Sequence, residues 1–282
     1  MPTAQDLVRK FSDLKTLPHV ALRLTKLVND ERSTMHDFEE TIKLDPVLVT
    51  RLLRLVNSPY FGLVSKVESI PKAVVYVGMK NLRNLVAVEA LRNLFRGGEN
   101  ENGFSRKNLW IHSATVAIIS EMIAKRIFGQ EGEDVFLAGI IHDIGLIVED
   151  QLVDEMLWSA CAAYDPTKNT LVVCEQESIG TDHCLVGNLL AKEWRLPNEV
   201  LKAIRLHHDM DRKHSLGSIT SILQLAEYIA GKLGYSPLVG RFDPLPNYLV
   251  RHVRSSMTNY KVIMRDLPSE MAKAKDLYET DL

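Results

Sequence analysis

Cysteine is scarce in this 282-residue chain: Cys161, Cys174 and Cys184 are the only three, with no CxxC pair among them. An odd, unpaired set cannot make a disulfide framework and fits a reducing compartment. No apolar run approaches the ~20 residues that a membrane helix needs. The N-terminus, Met1-Pro-Thr-Ala-Gln-Asp6, lacks the charged-then-apolar pattern of a secretory signal. The expectation is a cytoplasmic protein with no membrane attachment. An excess of one charge is also missing. The formal net charge is -2, so nothing global points to nucleic acid or an anionic membrane. There is no internal repeat, no low-complexity tract and no alternating strand pattern of convincing length. Leu171-Val-Val-Cys174 fits a short strand or a helix equally well.

What is present is the composition of a globular protein with a sizeable core, 46% hydrophobic and 25% charged, long enough for one large or two modest domains. Apolar residues fall at helical spacing almost throughout. Leu24, Leu27 and Val28 mark a helix over 21–28. Thr34 and Asp37 suggest a capped start for the next, which stops before Asp45-Pro46. Pro46 opens a helix that ends near Asn57. After a loop from Tyr60 to Ser69, Pro71 starts a short helix stopped by Gly78, and Leu82, Leu85, Val86, Val88 and Leu91 line another. Gly97 to Gly103 has no apolar residue and is the best linker candidate. Further helices are expected at 105–128, 133–142, 148–163, 182–194, 198–208 and 216–233, with stops at Gly129, Gly145 and Gly234 and one or two helices more after Pro244.

The chemistry concentrates in histidine. The run Gly139-Ile-Ile-His-Asp-Ile-Gly145 sinks an ionisable pair, His142-Asp143, into small and apolar residues, which is unfavourable unless a partner satisfies it. Of nine histidines, His112, His183, His207 and His208 share with His142 a place on an apolar helical lane. His112 lies with Val116, Ile119 and Ile123, and His183 with Val186, Gly187 and Leu190. Glu227 lies on a similar lane with Leu223, Ala230 and Gly231. A lone inward histidine is most simply a hydrogen-bonded core residue. Five such histidines and two carboxylates, over five helices, are too much buried polarity for a core without a shared partner. One or two divalent ions would satisfy them. Imidazole with carboxylate and no thiolate suits iron, manganese or zinc, or magnesium with more water.

In order, His112, His142-Asp143, His183, His207-His208 and an acid in the following helix resemble the HD metal-dependent phosphohydrolase superfamily. The fuller resemblance is to its HDOD branch, the HD-related output domains of bacterial signalling proteins. It extends over Leu17-Pro18, Asp45-Pro46, Leu55-Val-Asn-Ser58, Ser69-Ile70 with Ala73, Gly78, Trp110-Ile-His112, Asp182-His183 with Gly187, Trp194-Arg-Leu-Pro197 and Ala203-Ile204. The resemblance implies an all-α multi-helix bundle. Residues 1–98 would form an N-terminal helical subdomain packed on an HD-type helical domain at 104–235, with a C-terminal helical extension at 236–282. It also implies a regulatory role, in a family where phosphohydrolase activity is often lost.

If the site is live, the resemblance implies that His112, His142, Asp143 and Glu227 hold one ion. His183, His207 and His208 would hold a second, with Asp143 bridging as the catalytic carboxylate. Three departures set the chain apart from the related HD-GYP branch, which hydrolyses cyclic di-GMP. Leu146 stands where that branch has a lysine, no Gly-Tyr-Pro follows His207-His208, and Glu227 replaces an aspartate. The first two weaken the case for phosphodiester hydrolysis; the third still offers a ligand. An active phosphohydrolase is therefore the alternative reading. The nearest basic residues in sequence, Lys192 and Arg205, read as solvated face residues. Asp182 reads as an N-terminal helix residue and Cys184 as a buried small hydrophobe. Trp110, Trp158 and Trp194 read as core anchors. Input is expected from a separate signalling protein or a nucleotide-type ligand. A DNA-binding turn over Ala73 to Leu85 is the distant alternative, outweighed by two simply packed helices.

Overall fold

Side-chain caps coincide with most helix starts in this chain. The computed structural model describes residues 1–14, 27, 32–43, 45–95 and 104–274. The helix expected at 21–28, apart from Leu27, the Leu17-Pro18 pair and the linker at 97–103 lie outside the described residues. After α1 (Ala4–Leu14) comes α2 (Met35–Lys43). Its start is a reciprocal box: the Thr34 amide donates to Asp37 Oδ2 at 2.8 Å, and the Asp37 amide to Thr34 Oγ1 at 3.3 Å. Asp45 caps α3 (Pro46–Val56) and Ser69 caps α4 (Ile70–Val77), which Gly78 closes at φ 81°. Next come α5 (Met79–Arg92), a 3-10 turn at Asn93–Phe95, and α6 (Arg106–Ile127), capped by Ser105.

The second half contains α7 (Glu133–Ile141), α8 (Ile144–Leu152), α9 (Asp154–Ala163), α10 (Leu171–Ser178), α11 (His183–Glu193), α12 (Asn198–Leu206) and α13 (Ile219–Lys232). It ends with α14 (Asn247–Ser255) and α15 (Met257–Lys273). Two readings of the sequence are corrected here. Gly145 does not stop a helix; it is the second residue of α8. The helix expected at 148–163 is two helices, separated at Val153, whose backbone leaves the helical region at φ -146° and ψ 40°. The ambiguous Leu171–Cys174 run is helical, capped by Thr170. Among the described residues there is no strand, only isolated bridges from Leu238 to Phe104 and to Arg241. No helix of the described residues is long and apolar enough to cross a membrane.

α7 lies at the centre, packed against α5, α6, α12 and α13. Its residues Val135 through Ile141 are all buried, as a helix apolar on every side requires. α8 packs on α11, and α1 returns to lie across both. Two glycines set the closest approaches. A Cβ at Gly139 would stand 2.5 Å from Ala117 Cα on α6, and one at Gly145 would stand 2.1 Å from His183 O at the start of α11. The small residues flanking the His142-Asp143 doublet thus let the backbones bearing His112 and His183 close on it.

Candidate metal centre

The doublet turns the corner between α7 and α8. Asp143 sits where an aspartate normally caps its own helix, yet it makes no side-chain cap bond. Its carboxylate instead points into the bundle, between histidines from four directions. Asp143 Oδ2 lies 3.5 Å from His112 Nε2 and 3.2 Å from His142 Nε2. Asp143 Oδ1 lies 3.5 Å from His183 Nε2 and 3.4 Å from His207 Nε2. The two oxygens therefore face two different groups of donors. His112, His142, Asp143 and Glu227 form one set, and Asp143, His183, His207 and His208 the other; within each set the donor atoms lie within 4.8 Å of one another. All seven residues singled out in the sequence come together here.

The orientation of each imidazole is set from outside the centre. His142 Nδ1 donates to Gly139 O at 2.7 Å and His207 Nδ1 to Ile204 O at 2.8 Å, each to its own helix. His112 Nδ1 donates to Tyr235 O at 2.5 Å, and His183 Nδ1 to Glu175 Oε2 at 2.7 Å. With Nδ1 protonated and engaged, the neutral ring presents a lone pair on Nε2. His112 Nε2 and His142 Nε2 nevertheless stand 3.2 Å apart, and His142 Nε2 also contacts Glu227 Oε1. Lone pairs and carboxylates so close demand a positive charge among them, either a proton or a metal ion. Asp143 Oδ1, buried and without a hydrogen-bond partner among the described residues, is a further free donor. Residues and geometry fit a divalent metal centre of oxygen and nitrogen ligands.

The electrostatics agree. Burial alone would lower the pKa of His142, but the Asp143 and Glu227 carboxylates outweigh it and push it up to about 10. Burial likewise opposes ionisation of Asp143 and Glu227, yet the surrounding histidines hold both well below the usual carboxylate range. His207 is driven down to about 4 by burial and the adjacent His208. Burial also opposes protonation of His208, and Asp243 reverses that effect.

Several contributors were not singled out in the sequence. Glu175 on α10 is fully buried and takes bonds from both the amide and the ring of His183; its place one turn after Leu171 was the signal. Asp243 Oδ2 lies 2.8 Å from His208 Nδ1, and Tyr164 Oη donates to Asp243 Oδ1 at 2.8 Å. Asp243 and the Tyr235 carbonyl belong to the irregular stretch between α13 and α14, where no periodicity announces an inward face. That stretch roofs a cavity over the centre, lined by Asp143, Leu146, His208, Tyr228, Arg241 and Phe242, among others. Leu146 thus faces the cavity, and Arg241 supplies a cation to it. Lys192 is exposed, and Arg205 pairs with Asp182, which caps α11. Cys184 is buried with its sulfur 3.4 Å from His183 Nε2; burial pushes its thiol up to about 11, so it is a neutral neighbour.

The family model of the HDOD domain matches residues 14–210. A solved structure from Shewanella amazonensis SB2B, of a protein described as a phosphohydrolase by inference, is 27% identical with a TM-score of 0.69, covering 96% of this chain and 95% of that one. An HDOD domain protein of unknown function from Geobacter sulfurreducens is 26% identical with a TM-score of 0.66, covering 93% and 97%. An uncharacterized protein of Treponema pallidum (strain Nichols) is 27% identical over 208 residues, 73% of this chain; the match spans 40% of that relative's length.

Proposed function

Because the chain belongs to the HDOD domain family, we propose that it is a cytoplasmic regulatory protein whose HD-type centre binds divalent metal and serves signalling more than turnover. One observation carries the reading: the Asp143 carboxylate divides its oxygens between two donor sets. A core with no use for an ion gains stability by replacing such groups with apolar ones, so their retention argues for a ligand. The donors suit iron, manganese, zinc or magnesium. When bound, a pair of such ions activates water and clamps phosphoryl oxygens. His112, His142, Asp143 and Glu227 would hold one ion, and Asp143, His183, His207 and His208 the other.

Leu146 favours regulation over hydrolysis. It puts an apolar side chain in the cavity where a lysine would meet a substrate phosphate. The three free, buried cysteines fit a reducing interior. The input is a signalling partner or a nucleotide-type small ligand. The second reading, a working metal-dependent phosphohydrolase, is favoured by Arg241, a cation in the same cavity. The two separate in one experiment: metal content by elemental analysis, with turnover of cyclic dinucleotides and nucleoside phosphates in added Mn2+. Bound metal without turnover supports the regulatory reading; bound metal with turnover supports the hydrolase; metal-free protein sinks both.

A further inference from the structure

The stretch from Tyr235 to Asp243, a strap between α13 and α14, meets an imidazole of the centre at each end, through a hydrogen bond at the first and an ion pair at the second. At its start Tyr235 O accepts from His112 Nδ1 at 2.5 Å; at its end Asp243 Oδ2 lies 2.8 Å from His208 Nδ1. His112 and His208 belong to different donor sets, so the strap spans both. Its middle is held down as well. Arg241 Nη1 ties it to the bundle, donating to Cys161 O at 2.7 Å and to Tyr164 O at 3.0 Å, while Ser236 Oγ donates to Leu238 O at 2.7 Å within the strap itself. Leu238 is 2% exposed and its neighbour Val239 is 74% exposed, so one face lies on the bundle and the other on solvent. α13 is shaped to receive it: a Cβ at Gly231 would stand 2.4 Å from Phe242 Cγ.

An imidazole presents one nitrogen to an ion when a partner on the other fixes its ring and tautomer. For His142 and His207 that partner is a carbonyl of the same helix, and for His183 it is Glu175 inside the bundle. For His112 it is the strap carbonyl of Tyr235, and for His208 it is the strap carboxylate of Asp243, which meets the ring as an ion pair without hydrogen-bond geometry. We propose that Tyr235 and Asp243 are positioning residues that make strap and metal centre a linked pair: the seated strap presents His112 and His208 to the ion, and the bound ion holds the strap shut. The inference rests on the metal-binding reading. Such coupling is reciprocal, so whatever lifts the strap weakens metal binding by the factor that metal binding closes the strap. The strap runs directly into α14 and α15, which gives the centre a route to the C-terminal helices. It lies wholly beyond residue 210, where the family match ends.

The test uses the full chain with Mn2+ alone as the probe. Amide hydrogen exchange is followed over 235–244, and Mn2+ affinity is measured by calorimetry on the same samples. In the wild type, Mn2+ slows exchange in the strap by about tenfold or more. Asp243→Asn, keeping shape but losing charge, weakens Mn2+ about tenfold and abolishes the slowing; Asp243→Glu restores part of both. Gly231→Ala, which displaces Phe242 and touches no imidazole of the centre, has the same effect from the other side. Wild-type protein that binds Mn2+ with unchanged strap exchange overturns the linkage and leaves the metal reading standing. Asp243→Asn that loses thermal stability but keeps wild-type Mn2+ affinity also overturns it. Wild-type protein that takes up no Mn2+ overturns both readings.

Discussion

The backbone at Gly145 presses on the carbonyl of His183 so closely that a Cβ at 145 would stand 2.1 Å from that oxygen. The contact joins α8, which follows the His-Asp doublet, to the first residue of α11. No rotamer change relieves a clash with a backbone oxygen, so one helix must move. Gly145→Ala is expected to destabilise the fold by about 3 kcal/mol, at the upper end of overpacking effects. Because it shifts His183 relative to Asp143, it should also weaken Mn2+ binding. Denaturant unfolding and calorimetry on the same variant check both. A variant as stable as wild type with unchanged metal affinity would show that the helices can separate without penalty.

Glu227 contacts His112 at 3.1 Å and belongs to one donor set only. Glu227→Gln keeps the shape and removes the charge, so it should empty that side while leaving Asp143, His183, His207 and His208 intact. Elemental analysis after exchange into chelator-free buffer is expected to fall from two ions per chain to one. Loss of both ions would mean that the sets fill only together.

Why these seven residues could be read from the sequence, and the ones behind them could not, follows from periodicity. His112, His183, His207, His208 and Glu227 sit on or at the end of regular helices, where spacing of three and four assigns an inward face. Capping chemistry was equally local, and so the starts at Thr34 and Asp182 were found, whereas Asp45 was read only as the end of the preceding helix. The break at Val153 had no proline or glycine to mark it. Gly145 carried a glycine's usual meaning as a stop, whereas its role is a contact with residue 183 that no local pattern records. Tyr235 and Asp243 lie in an irregular segment and acquire their role only when the chain folds back over the centre.

Arg241 lines the same cavity as Leu146 and brings to it the positive charge that Leu146 does not. In Mn2+-loaded protein, Arg241→Gln is expected to weaken inorganic phosphate about tenfold, roughly 1.4 kcal/mol, the low end for a hydrogen bond to a charged group. Arg241→Lys, keeping the charge but not the fork, should recover part of that loss. Phosphate titrations read the effect, with metal content measured beside them because Arg241 also holds the Cys161 and Tyr164 carbonyls. Equal phosphate affinity in all three proteins removes Arg241 from the site.

Glu149 on α8 is fully buried, and neither carboxylate oxygen has a hydrogen-bond partner among the described residues. Burial, and then the nearby carboxylate of Glu175, raises its pKa well above the ordinary 4.5. The sign of the pH dependence follows. Between 4.5 and the raised value the folded chain keeps a proton that the unfolded chain has lost, so stability falls as pH rises through that window. Each unit of elevation corresponds to about 1.4 kcal/mol. Glu149→Gln, neutral at every pH, removes this dependence. The variant should be more stable than wild type at pH 8, and the difference should shrink toward pH 4. Urea unfolding of both proteins across that range measures it, and a difference that stays flat with pH would mean that Glu149 is solvated or paired in the folded chain.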